Sequence, residues 1–352
     1  MTDRRSGADS VTGAAGIRES PERETDMKAV VYDKSKRPDA LEYREAEKPV
    51  PGDNEVLIRV HAAAVNAADS RSMKMGAIPK RKIFGCDIAG VVEAVGRNIS
   101  RFKAGDEVMG DISGSGMGGF AEYTVAKETP LILKPRSIPF ETAAAIPLSS
   151  VTALQGLRDA GGIKLGDKVL IYGAGGGVGT FAVQLAKHLG AEVTALCGEK
   201  NARVMQSLGA DHVIPYNGLD VTKISGRYDL VLAVNGSNRL KVYLRLLAPG
   251  GTLVMVGGSL KQVMKALLLG RFYSPGSKKV RSLSAKPSAV DLAYIVRLVE
   301  EGRVKPVIDR TYPLAQTAQA VRYQSEVHAM GKVTIRVREE HAGEDEGIGA
   351  QA

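Results

Sequence analysis

The chain has 352 residues, of which 44% are hydrophobic and 25% charged, as is typical of a globular protein with an ordinary apolar core. No apolar run reaches the length of about eighteen residues that suggests a membrane-spanning helix, and the N-terminus lacks the layout of a secretory signal, so we expect a cytoplasmic protein. The formal charge of +9 comes from basic residues scattered along a chain with only 5% aromatic residues, which argues against nucleic-acid binding.

Residues 1–26 are rich in charged and small residues and have no apolar period, so we expect a disordered tail. Whether translation starts at Met1 or Met27 stays open. From Met27 to about Pro139, short apolar segments such as KAVVY and EVLIRVHAAAVN alternate with turn residues, which predicts a mainly β region. The pattern changes near Glu141, where ETAAAIPLSSVTALQGL carries helical spacing.

Residues 168–190, KVLIYGAGGGVGTFAVQLAKHLG, predict a buried strand, a glycine turn and a helix in direct succession. Gly173, Gly176 and Gly179 recur at every third position, although Ala174 takes the first place of a strict G-x-G-x-x-G frame. A second apolar strand at 192–197 completes a strand-helix-strand unit of the dinucleotide-binding kind. The turn is therefore predicted to hold a diphosphate, and the alternative is a packing turn without a ligand.

The rest of the chain repeats the alternation of strands and helices. A helix is expected at 199–208, and three further buried strands follow in HVI, DLVLAV and TLVMV. This order predicts a doubly wound parallel sheet. Residues 289–300 predict an amphipathic helix, KVTIRV from Lys332 predicts a strand that returns to the first region, and the acidic tail at 339–352 is expected to be disordered.

Nearly the whole ordered chain resembles the medium-chain dehydrogenase/reductase superfamily, and within it the quinone-oxidoreductase branch. The segments that carry the likeness are MKAVVY, VNAAD, GCDIAGVVEAVG, FKAGDEVMG, GGFAEYTV, YGAGGGVGTFAVQLAK, SLGADHVI and APGGTLVMVGG. The resemblance implies an α/β fold with a GroES-like β domain at 27–147, a Rossmann domain at 148–281 and a return to the first domain at 282–338. Substrate and nicotinamide would meet in the cleft between the two domains.

Zinc-dependent alcohol dehydrogenases of this superfamily have a cysteine where Asn66 stands and Gly-His-Glu where Gly85-Cys86-Asp87 stand. A third ligand near 148–150 is missing as well, so the residues predict no metal site. Cys86 is expected to be a small core residue. Without a metal, the expected hydride acceptor is a quinone or an α,β-unsaturated carbonyl, because conjugation delocalises the charge that the hydride brings. A cofactor-binding sensor with little turnover and an alcohol dehydrogenase of the same superfamily are the alternatives.

Asn66 is the candidate catalytic residue, facing the nicotinamide ribose or the substrate carbonyl; the alternative is a strand-end residue that caps a turn. Asp69 is expected to cap the following helix. NADPH is the expected cofactor, with Lys200 at its 2′-phosphate, although Glu199 favours NADH. The sequence nominates no proton donor, and whether the chain forms a homodimer stays open. The complete set of candidate cofactor-binding residues is Thr152, Gly173, Gly176, Gly177, Val178, Gly179, Lys200, Tyr216 and Gly257.

Overall fold

The computed structural model describes residues 26–34, 40–216, 221, 224–236, 238–257, 277–327 and 329–338, which form two large sheets and a two-stranded one. Residues 1–25 of the first predicted tail and the second tail at 339–352 lie outside the described residues, as do positions 258–276. Asp26, which the sequence assigned to the first tail, already belongs to the first strand.

The first large sheet is a mainly antiparallel β structure in the N-terminal half of the chain. Strand β3 lies at its centre, paired with β4, β6 and the C-terminal strand β15. The second half of β3 is almost entirely buried, because both of its faces are covered there. The strands of this sheet and the small β1–β2 pair are β1 Asp26–Tyr32, β2 Leu41–Glu47, β3 Glu55–Val65, β4 Asp87–Val95, β5 Glu107–Asp111, β6 Tyr123–Lys127, β7 Leu131–Leu133, β14 Ile308–Pro313 and β15 Lys332–Arg336.

The second large sheet is parallel throughout and has the strand order β10-β9-β8-β11-β12-β13. Continuous apolar runs form its central strands because both faces are covered, as the sequence predicted. Strands β9 and β10 lie on one side of β8, and strands β11 to β13 lie on its other side. The chain thus crosses over between β8 and β11, and dinucleotides bind at such a switch point in open α/β sheets. The strands are β8 Lys168–Tyr172, β9 Glu192–Cys197, β10 His212–Pro215, β11 Tyr228–Val234, β12 Leu247–Val256 and β13 Lys279–Leu283.

The helical segment after Glu141 is divided, unlike the single run that its spacing indicated. Pro147 begins a second helix, because proline has no N–H to continue the first one and fits a first helical turn. The segment predicted at 199–208 is a short 3₁₀ turn followed by a helix of six residues. The α-helices are α1 Ala67–Met75, α2 Phe140–Ala144, α3 Pro147–Gln155, α4 Gly177–His188, α5 Ala202–Ser207, α6 Leu240–Leu246, α7 Ala289–Glu300 and α8 Thr317–Glu326.

The last strand returns to the first sheet, as predicted, where β15 pairs antiparallel with β3. This return brings Gly331 against the glycine turn of the second sheet, and its N–H donates to the Gly175 carbonyl over 2.8 Å. Helix α7 packs on α3, and its Leu292 and Ile295 share an apolar core with strands of the parallel sheet. The domain limits at 147, 281 and 338 stay predictions.

Candidate active site

The glycine turn after β8 contains glycines that the backbone needs for packing. Gly173 has φ +76°, and a Cβ there would lie 2.6 Å from the carbonyl oxygen of Val234 on the neighbouring strand. A Cβ on Gly179 would collide with the carbonyl oxygens of Gly173 and Ala174. These two glycines let helix α4 sit close to the end of β8, so a side chain at either position would disturb the fold.

Gly176 is a different case. Its φ of −86° suits any residue, and a Cβ there would meet a single atom within 4 Å, the Gly173 carbonyl oxygen at 3.8 Å. It is the N-cap of the twelve-residue helix α4, whose first N–H groups lack partners inside the helix. Open space at the positive end of a helix fits a diphosphate, and a side chain on Gly176 would fill that space.

Four of the predicted cofactor-binding positions lie just beyond strand ends at one edge of the parallel sheet. Gly173 follows β8, Lys200 lies three residues beyond β9, Tyr216 follows β10 and Gly257 follows β12. The Lys200 ammonium donates to the Val327 carbonyl over 3.2 Å. The ring of Tyr216 is stacked on that of Tyr172, with centroids 6.2 Å apart.

The remaining predicted positions lie on helices. Gly177, Val178 and Gly179 form the first turn of α4, and Val178 is half-buried there. Thr152 is buried on the neighbouring helix α3. The fold thus brings the glycine turn and the strand-end positions to one sheet edge.

Asn66 directly follows β3 and is the N-cap of α1, with 4% of its surface exposed. Its side-chain oxygen accepts from the Lys332 ammonium over 2.5 Å, and its Nδ2 donates to Asp87 Oδ2 over 2.9 Å. The amide is therefore held inside a buried polar cluster. A contact of Asn66 with substrate or ribose stays a prediction.

Asp69 is not the N-cap that the sequence indicated, because Asn66 holds that place and Asp69 is the third residue of α1. Its carboxylate is fully buried and accepts from the backbone N–H groups of Asn66 over 2.8 Å and Gly85 over 3.1 Å. Burial raises the pKa of Asp69 to about 6, although both hydrogen bonds oppose the shift. The carboxylate joins the start of α1 to the end of the loop before β4.

Lys332 and Asp87 form a buried ion pair that the sequence reasoning missed. Their Nζ and Oδ2 atoms are 3.0 Å apart, and the two side chains are 2% and 0% exposed. Asp87 Oδ1 also accepts from the Leu148 N–H over 2.8 Å at the start of α3. The only signal in the sequence was a lysine directly before the apolar run VTI, where a strand core normally has no charge.

The Lys332 side chain also runs beneath the glycine turn. Its Cδ would lie 2.9 Å from a Cβ on Gly177, and the next contact of that Cβ would be Ser149 Oγ at 3.0 Å. The same lysine therefore packs under the glycine turn and holds Asn66 and Asp87. One residue connects the two domains at the site.

Two other titratable groups complete the buried cluster. Burial and the nearby Asp87 charge raise the pKa of Asp111 to about 6. Burial likewise raises the pKa of the Cys86 thiol, which is fully buried as its predicted core role requires. Among the residues that the structure describes, no group of three or more His, Cys, Asp or Glu side chains could hold a metal ion.

Family models match both halves of the chain. One described as an alcohol dehydrogenase GroES-like domain matches residues 52–136, and one described as a zinc-binding dehydrogenase matches residues 208–335. A chloroplast envelope quinone oxidoreductase homolog of Arabidopsis thaliana is 34% identical over 84% of this chain and 93% of its own. The chain belongs to the quinone-oxidoreductase branch of the medium-chain dehydrogenase/reductase superfamily.

Another member of the superfamily from Arabidopsis thaliana, a chloroplastic NADPH-dependent alkenal/one oxidoreductase, is 32% identical over 88% of this chain and 79% of its own. The structure of a quinone oxidoreductase from Coxiella burnetii superposes with a TM-score of 0.79 at 28% identity, covering 89% of this chain and all of the other. The predicted GroES-like and Rossmann architecture is thereby confirmed. In the described part of the chain, no helix is long and apolar enough to cross a membrane.

Proposed function

We propose that this protein is an NADPH-dependent reductase that delivers a hydride to a quinone or an α,β-unsaturated carbonyl without zinc. The observation that carries the proposal is the open space at Gly176, at the positive end of α4 and at the switch point of the parallel sheet. The quinone and alkenal/one reductases among its relatives support the substrate class. The NADPH-dependent relative supports the cofactor.

The bound nicotinamide supplies the hydride, and the protein supplies binding and orientation. The first N–H groups of α4 bind the diphosphate beside Gly176, and Lys200 exchanges its contact with the Val327 carbonyl for the 2′-phosphate. Asn66 stays fixed by Lys332 and Asp87 at the floor between the domains. In this proposal solvent supplies the proton that completes the product, since no side chain is nominated as its donor.

The chemistry of the buried cluster supports zinc independence. The Lys332 ammonium already binds the Asn66 oxygen and Asp87, two of the positions that correspond to the zinc-site residues of the alcohol dehydrogenases. An asparagine is a poor zinc ligand, and a bound ammonium would repel a divalent cation. Conjugated acceptors need no Lewis acid of that kind.

The test measures NADPH oxidation by the purified full chain with quinones, enones and simple ketones, and NADP⁺ reduction with alcohols, each with and without chelator. We expect turnover with quinones or enones, little with simple ketones, and no effect of the chelator. Tight NADPH binding without any turnover would favour a cofactor-binding sensor instead. Chelator-sensitive oxidation of alcohols would show an alcohol dehydrogenase.

The cellular location, the partner and the oligomeric state are proposed from the sequence alone. We place the protein in the cytoplasm, which cell fractionation tests, while the Arabidopsis relatives are chloroplast proteins by name. Besides NADPH, the small-molecule substrate is the only partner that the proposed reaction needs. Sedimentation velocity distinguishes a monomer from a homodimer.

A further inference from the structure

Arg71 on helix α1 spans the cleft between the two domains. Its Nη2 donates to the side-chain oxygen of Asn235 over 3.1 Å, and Asn235 follows directly after β11. The same nitrogen would lie 3.1 Å from a Cβ on Gly257, which follows β12. The guanidinium therefore reaches from the β domain to the carboxyl ends of β11 and β12 in the parallel sheet.

This guanidinium has a neutral partner and unused donors. Asn235 is its single hydrogen-bond partner within the described residues, and none of the carboxylates there pairs with it. Arginine has five N–H donors in a planar fork and stays charged at any physiological pH. Arg71 is half-buried, so part of its side chain stays open to solvent. A cation without a counter-charge in a cleft is suited to an anion from outside the chain.

The segment that begins at Arg71 is strongly basic. Residues 71–82, RSMKMGAIPKRK, contain five basic residues and no acidic one. Lys80, Arg81 and Lys82 are exposed in a turn closed by the Lys82 N–H on the Pro79 carbonyl, 2.8 Å away. A cluster of charges of one sign raises the local concentration of oppositely charged ligands.

We propose that Arg71 binds an anionic substituent of the substrate, so that the preferred substrates are quinones or enones that also carry a carboxylate or sulfonate. This inference rests on the proposed function. The diphosphate has its own place beside Gly176 after β8, whereas Arg71 lies at β11 and β12, the half of a dinucleotide-binding sheet that holds the nicotinamide end. Arg71 acts in binding and specificity, because a guanidinium does not release a proton in this pH range.

The experiment compares matched acceptors on the full chain with NADPH: acetylacrylic acid against its methyl ester, and naphthoquinone sulfonate against naphthoquinone. Arg71→Met should lower kcat/KM for the two anionic acceptors by roughly ten- to a hundredfold and change it for the neutral ones by less than about threefold. The kcat/KM of Arg71→Lys for the anionic acceptors should lie between those of the unmutated protein and Arg71→Met, since lysine keeps the charge and loses the planar fork of donors. Added salt should reduce the advantage of the anions in the unmutated protein.

The matched control is Lys103→Met, which removes an exposed charge in the turn between β4 and β5, at the ends of those strands opposite Asp87 and Asp111. This variant should leave kcat/KM unchanged for the anionic and the neutral acceptor of each matched pair. Equal losses for anionic and neutral acceptors in Arg71→Met would overturn the proposal, as would a weaker NADPH dissociation constant with unchanged acceptor preference, which would assign Arg71 to a cofactor phosphate. Turnover of the neutral acceptors reports the proposed function separately.

Discussion

The two faces of the cleft are built in different ways. The Rossmann face is made of backbone, with glycines that let a strand, a turn and a helix meet and leave open space at Gly176. The β-domain face is made of buried polar side chains from three distant parts of the chain: Asn66, Asp87 and Lys332. The first face needs room for a ligand, and the second needs every charge to be paired. A substitution should therefore impair binding on one face and stability on the other.

Substitution of Lys332 tests the β-domain face most directly. Lys332→Met leaves the Asp87 carboxylate buried without its cation, which should lower the free energy of unfolding by about 3 to 5 kcal/mol. Urea titration followed by circular dichroism measures the loss. Adding Asp87→Asn to the variant should recover part of it, because the uncompensated charge is then gone.

Lys187→Met is the control for this substitution. Its ammonium pairs with Asp211 over 2.8 Å at the surface, where about a third of each side chain is exposed. Its removal should cost at most about 1 kcal/mol. If Lys332→Met cost no more than Lys187→Met, the buried pair would not hold the β-domain face together.

The same division explains what the sequence could predict. The strand, glycine turn and helix at 168–190 follow one another along the chain, so local periodicity and glycine spacing predicted them. The ion pair joins positions 245 residues apart, and no local pattern records it. Asp69 shows the limit within one segment: its residue type suits an N-cap, yet Asn66 caps the helix three residues earlier and leaves Asp69 inside the first turn, where burial decides its chemistry. Only the fold brings such residues together.

Asp69 predicts a pH dependence of stability. Its pKa is about 6 in the folded protein, against an ordinary value of 3.8 for an aspartate carboxyl in the unfolded chain. Between these two values the folded state holds a proton that the unfolded state has lost. This group therefore contributes stability at low pH that is lost as the pH rises from about 4 to 6, amounting to about 3 kcal/mol in total.

Asp69→Asn removes the titration and one acceptor, so it should destabilise the protein most at pH 4 to 5. The deficit relative to the unmutated protein should shrink as the pH rises to 7. Unfolding free energies at four pH values measure this difference. A deficit that stays constant or grows with pH would show that Asp69 is ionised throughout the range.

Substitutions of Gly176 and Gly179 test the Rossmann face as a matched pair. Gly176→Val should fold normally and weaken NADPH by at least about a hundredfold, roughly 2.7 kcal/mol, because its side chain projects into the space for the diphosphate. Gly179→Ala should instead lower the melting temperature, since its Cβ collides with the backbone of the turn. Calorimetry and cofactor titration on both variants separate the effects. A folded Gly176→Val protein that binds NADPH with unchanged affinity would contradict the proposal that the diphosphate binds beside Gly176.

The smallest expected effect concerns the choice between NADPH and NADH. Lys200 is exposed and its ammonium already donates to the Val327 carbonyl, so binding a 2′-phosphate replaces one hydrogen bond by a charge-assisted one. Lys200→Ala should weaken NADPH by about tenfold, roughly 1.4 kcal/mol, and leave NADH unchanged. Glu199→Ala should change neither affinity if its carboxylate only favours the start of the 3₁₀ turn, and should weaken NADH selectively if it binds the ribose hydroxyls. Dissociation constants of both cofactors with both variants decide between these roles: equal losses of NADPH and NADH in Lys200→Ala would show that the lysine does not bind the 2′-phosphate.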